Sequence, residues 1–103
     1  MKGMSRESKT PKQLERHFKG VSNHRRIAIL LLVGKEPGIT VEEIGERLDC
    51  NLKTLTEHLR RLVHAGLVNK KYEGRNVAHT LSPYGKVFAG FITKFSIRIS
   101  SHP

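Results

Sequence analysis

The side chains here that could do chemistry are one thiol, Cys50, six imidazoles, nine carboxylates and nineteen lysines and arginines. The lone thiol excludes an internal disulfide framework and any multi-thiolate zinc site within one chain. The imidazoles are His17, His24, His58, His64, His79 and His102, and no two are four residues apart, so the helical i, i+4 metal pair is missing. Scattered in this way, they read as weakly titrating charges. There is no glycine-rich phosphate loop and no G-x-S-x-G motif. Glu42, Glu43 and Glu46 read as the exposed face of a short helix. The expectation is a binding protein and not an enzyme, with no catalytic residue, no metal ligand and no cofactor.

Positive charge is the plentiful resource: 19 Lys+Arg against 9 Asp+Glu, a formal net charge of +10. It is unevenly spread, at net +6 over residues 1–26, −3 over 27–50, +4 over 51–81 and +3 over 82–103. An acidic segment between basic ones points to a directed surface, with nucleic acid or an anionic membrane as the usual partner. The longest apolar run, Ile27 to Val33, is seven residues, against the ~20 needed to span a bilayer. The first residues hold no apolar signal-peptide core, so the expected location is the cytoplasm, with no membrane partner. A chain of 103 residues, 37% hydrophobic and 27% charged, suits one small globular domain.

Periodicity and turn residues outline the elements that must position these charges. Residues 1–10 read as a flexible basic arm, and residues 11–103 as the domain. A helix is predicted from Pro11, with Leu14, Phe18 and Val21 on one face. A second, the most buried, is predicted from the cap Asn23 through Val33, with Gly34 as its end and Pro37-Gly38 as a turn. Thr40 and Glu43 form a capping box ahead of a short helix with Val41, Ile44 and Leu48 inward. After Asp49-Cys50-Asn51 a fourth helix follows, with Leu52, Leu55, Leu59 and Leu62 as core, stopped at Ala65-Gly66. The period then changes to that of a hairpin over 67–81 with a polar tip at 73–76. Ser82-Pro83 opens a last helix, about 83–99, with a stripe of Tyr84, Val87, Phe88, Phe91, Ile92, Phe95 and Ile99.

Two helices joined by a tight turn, followed at once by a hairpin, match winged helix-turn-helix geometry. The expected fold is mainly α with a small β-hairpin wing, in the order of four helices, two strands and a fifth helix. Within this outline residues 50–68 (CNLKTLTEHLRRLVHAGLV) closely resemble the recognition helix of ArsR-family winged-helix repressors, whose pattern runs L-S-Q-S-T-V-S-x-H-L-x-x-L-x-x-A-G-L-V. Thr54, His58, Leu59, Leu62 and the run Ala65 to Val68 match identically, and Leu55 and Thr56 conservatively. Ser22 to Leu30 is similar to the family's D-P-T-R-L-R-I-L segment, so the resemblance covers about residues 15–85. MarR-like and HxlR-like regulators share much of the same pattern.

The resemblance implies a homodimeric transcriptional regulator, a repressor, on a near-palindromic operator of double-stranded DNA, with helix 51–65 in the major groove. It places Lys53, Thr54, Thr56 and Glu57 nearest the base edges and His58, Arg60 and Arg61 on the backbone. Arg75 and Asn76 at the wing tip would reach a minor groove or its phosphates, with Lys70 and Lys71 on the wing strand. The aromatic stripe of the last helix exceeds what one small domain covers and is expected to form the dimer interface. The family's thiolate metal motif falls on Gly38 to Ile44, which holds no cysteine, and residues 83–99 hold no histidine or acid for its second metal site. A winged-helix module that binds protein, and a reader of RNA or non-B DNA, stand as alternative functions.

Overall fold

A computed structural model describes residues 8–97, so Ile99, His102 and most of the N-terminal arm lie outside the described residues. Each helix begins where a side chain can satisfy its orphan N–H groups. Helix α1, Pro11–Val21, is capped by Thr10 in a box with Gln13. Asn23 accepts the Arg25 and Arg26 N–H groups to start α2, His24–Lys35. Thr40 and Glu43 cap α3, Val41–Leu48, in the expected reciprocal box. Asn51 caps α4, Leu52–His64, and Ser82 caps α5, Pro83–Ser96.

The hairpin consists of β2, Val68–Glu73, and β3, Asn76–Leu81. A third strand that the sequence reading had missed, β1 at Ile39–Thr40, lies on the far side of β3, so the antiparallel order is β1-β3-β2. Two residues show no alternation, which is why pattern alone cannot find it. Its place is set by register, with Ile39 opposite His79 and Thr40 opposite Ala78, and by Gly38, whose φ of 93° lets its N–H reach the His79 carbonyl at 2.8 Å.

The core gathers Ile29, Leu30 and Val33 of α2, Ile44 of α3, Leu55, Leu59 and Leu62 of α4, and Leu67 and Val68. Gly34 and Leu52 both depart from the expected pattern. Helix α2 runs through Gly34 to Lys35; the glycine is explained by β3, because a Cβ there would lie 2.9 Å from Leu81 Cδ1. Leu52 is 47% exposed and not core, since at the first position of α4 it rests over the turn beside Gly45. Gly45 lets α3 and the turn approach closely: a Cβ would meet the Cys50 carbonyl and Leu52 Cδ2 at 3.2 Å.

Two histidines read as titrating charges are core residues instead. His17 Nδ1 donates to the Ala65 carbonyl at 2.8 Å, and His79 Nδ1 to the Ile39 carbonyl at 3.0 Å. Burial holds His79 below its ordinary 6.5, outweighing the carbonyl bond that raises it. The unfolded chain therefore takes a proton near pH 6.5 that the folded chain still refuses. The stability contributed by keeping His79 neutral is complete above that pH and declines as pH falls below it. His79→Asn, which keeps a donor but cannot titrate, should flatten this decline in denaturant midpoints measured across a pH series.

The stripe of α5 divides in two. Phe88 and Ile92 pack against the core, and Phe88 meets Phe18 edge-on at 5.0 Å between centroids. Tyr84, half exposed, lies 5.2 Å from the His17 ring. Val87, Phe91 and Phe95 face outward, with Phe91 and Phe95 stacked at 5.5 Å. On α1, Leu14 and Phe18 are exposed as well. Phe88 and Ile92, both expected at a dimer interface, thus serve the domain's own core at least in part.

Candidate nucleic-acid interface

Helix α4 buries Leu55, Leu59 and Leu62, which forces its remaining positions outward. The tight turn before it depends on Asp49, held in the left-handed region at φ 50° with its N–H on the Gly45 carbonyl. Lys53, Thr54, Thr56, Glu57, Arg60 and Arg61 all lie on the exposed surface of α4. Asn51 Oδ1 accepts the Thr54 N–H at 2.9 Å, and the Thr54 side chain is exposed. Thr56 Oγ1 donates to the Leu52 carbonyl at 2.7 Å, so its hydroxyl points outward chiefly as an acceptor.

Glu57 does not point freely toward a base edge. Its carboxylate accepts Arg60 Nε at 3.1 Å, Arg60 Nη2 at 2.7 Å and Arg61 Nε at 3.1 Å. The Arg60 bonds first, then those of Arg61, hold its carboxyl at about 2. A fork on one helix turn thus fixes both guanidinium groups in advance.

His58 is half-buried and turned toward α2. Its Nδ1 accepts from Arg26 Nη1 at 3.3 Å, and burial, then the Arg26 and Arg25 charges, keep its pKa below the ordinary range. Sequence reasoning did not single out Arg26. Its Nε donates to the Gly20 carbonyl at 2.7 Å and Nη2 to the Lys19 carbonyl at 3.5 Å, closing the end of α1 while reaching α4. The adjacent Arg25 and Arg26 at the head of an otherwise apolar helix were the available signal. Burial first, and then the charge of Arg61, lower the Arg26 pKa from its usual value.

The wing turns on a two-residue loop in which Gly74 takes φ 65° and Arg75 follows. Lys70, Lys71, Arg75 and Asn76 are all exposed. Lys70 sits opposite His79, while Lys71 shares the other face with Glu73, its Nζ 3.9 Å from that carboxylate. The neighbouring lysines therefore point to opposite sides, and both guard an edge strand. Among the described residues no three His, Cys, Asp or Glu side chains cluster as metal ligands would, and no helix is long and apolar enough to cross a membrane.

A helix-turn-helix whose second helix is basic, followed directly by an exposed basic hairpin, defines a winged helix-turn-helix protein. A family model described as a helix-turn-helix domain matches residues 21–71. The transcriptional activator HlyU of Vibrio cholerae serotype O1 is 38% identical over 66 residues, which span 63% of this chain and 59% of HlyU. The structure of reduced HlyU from Vibrio cholerae N16961 superposes with a TM-score of 0.76 at 27% identity, covering 84% of this chain and 92% of that one. The homodimeric winged helix-turn-helix DNA-binding domain of Mb0332 from Mycobacterium bovis, described as a possible ArsR-family regulator, reaches a TM-score of 0.79 at 22% identity, covering 95% and 96%. Residues 21–71 thus match a helix-turn-helix domain, within a chain that has the winged helix-turn-helix fold.

Proposed function

We propose that this protein is a sequence-specific regulator of transcription that binds double-stranded DNA in the cytoplasm as a homodimer on a near-palindromic operator. Helix α4 enters the major groove, and the wing of β2 and β3 lies on the flanking backbone or minor groove. The observation that carries this reading is the exposed face of α4, where Lys53, Thr54 and Thr56 stand forward at its N-terminal end over a fully buried leucine row. Arg60 and Arg61 supply charge for the backbone, as do Lys70, Lys71, Arg75 and Asn76 from the wing. Glu57 acts by holding the arginines, and His58 by seating the helix against Arg26. Residues 11–103 form one domain, and Tyr84, Val87, Phe91 and Phe95 of its last helix, with the core-packed Phe88 and Ile92 behind them, meet the second subunit. The protein carries no catalytic role.

Selection of bound duplexes from a random library tests partner, symmetry and half-site spacing together. A preferred inverted repeat is expected. No preferred duplex even at low salt would overturn the reading in favour of a protein or RNA partner. Lys53→Ala should weaken operator binding by about 1–3 kcal/mol, roughly 5- to 150-fold, with the thermal midpoint unchanged. A reporter carrying the selected operator reads the sign of regulation, repression giving lower expression when the protein is present.

A further inference from the structure

Helix α1 presents two different flanks on either side of its buried row. Lys12, Arg16 and Lys19, at four- and three-residue spacing, share one exposed flank, while Leu14 and Phe18 share the other, beside α5. The basic flank faces the last turns of α4. The two helices touch at Gly20, where a Cβ would collide with the Ala65 methyl and lie 3.7 Å from the Arg61 carbonyl. This contact forms the floor of a cleft of about 280 Å³ whose walls carry Arg16, Lys19, Arg60, Arg61 and His64. Four permanent cations thus line the cleft, and no carboxylate is among its described lining residues. Glu15 is paired to Lys19 at 3.3 Å, and Glu57 is held by Arg60 and Arg61. Arg16 forms no ion pair with a carboxylate among the described residues, and its Nη2 reaches over the end of α4 toward Gly66. Arg26, on the carbonyls of Gly20 and Lys19, adds a further charge at the same junction.

We propose that the cleft between α1 and the C-terminal turns of α4 is a phosphate-binding site, with Arg16, Arg60 and Arg61 as its principal donors. Glu57, outside the cleft's lining, orients both side chains, Arg60 through Nε and Nη2 and Arg61 through Nε alone, which leaves the Arg61 terminal nitrogens for a phosphate. The cleft is continuous with the polar face of α4. A duplex backbone running on from the recognition helix therefore brings phosphate to it, and this source rests on the function proposed above. A free phosphorylated compound offers the same chemistry.

Arg16 is exposed and lies outside the residues assigned to base reading, so Arg16→Gln tests the site alone. Operator binding is measured across a salt series for wild type, Arg16→Gln and Arg16→Lys. Amide shifts of residues 16, 60, 61 and 64 are followed on adding inorganic phosphate against chloride at equal ionic strength. If the backbone fills the cleft, Arg16→Gln loses about one unit of the slope of log affinity against log salt, equally for operator and random duplex, and Arg16→Lys restores it. If a free compound fills it, the slope is unchanged, but phosphate-specific shifts occur in wild type and vanish in Arg16→Gln. An unchanged slope without phosphate-specific shifts overturns the site. Loss of duplex binding by wild type would instead overturn the broader function and leave the phosphate titration standing as its own test.

Discussion

Phe91→Asp should convert the protein to folded monomers and lower operator affinity by about 10²–10⁴-fold, the gain that linking two half-site contacts usually provides. Phe91 is 54% exposed and stacks on Phe95, so its removal leaves the domain's own core untouched. A buried carboxylate in a subunit interface, by contrast, has no partner and is strongly disfavoured. Outward on the same helix, Val87 and Phe95 are 68% and 77% exposed, and with Leu14 and Phe18 of α1 they make an apolar surface unusual for a small monomer. Light scattering reads the mass and a gel shift the affinity. A variant that stays dimeric would show that the stripe is not the interface.

The largest effect on stability is expected at Gly85, in the first turn of α5. A Cβ placed there would collide with the Leu67 carbonyl, which is backbone and cannot swing aside. Gly85→Ala should destabilise the domain by about 3 kcal/mol, lowering the thermal midpoint by roughly 12–24 °C. Gly90 on the same helix meets nothing within 4 Å, so Gly90→Ala should instead stabilise by about 0.5–1 kcal/mol through helix propensity. Thermal melts of the two variants, moving in opposite directions, separate close packing from the general preference of helices for alanine. Equal shifts would remove the packing account of Gly85.

Much of the fold was legible because its signals are local. Asn23, Thr40, Asn51 and Ser82 each cap a helix through bonds to residues two or three positions on, and such spacing is visible in any sequence. The polar face of α4 followed from its leucine row in the same way. What escaped depends on partners far along the chain. β1 exists because β3, some forty residues later, offers it an edge. His17 and His79 are buried by carbonyls at |i−j| of 48 and 40. Glu57 sits among basic residues that pattern alone would assign to DNA, and only the side-chain geometry shows it gripping Arg60 and Arg61. The stripe of α5 looked uniform because periodicity identifies a face, whereas the division between Phe88 and Phe91 depends on where α1 and the core lie against it.

Arg26 and His17 together give α1 two polar attachments to α4. One runs through Arg26 to His58, and the other joins His17 to the carbonyl that ends α4. Neither bond touches a ligand, yet both fix the tilt of α4 against the helix whose outer flank adjoins the dimer stripe. In the proposed dimer α4 is therefore the pointer of a caliper, and these two bonds are its set screws. In that dimer the separation of the two pointers, and with it the half-site spacing, would follow from the side chains of Arg26 and His17.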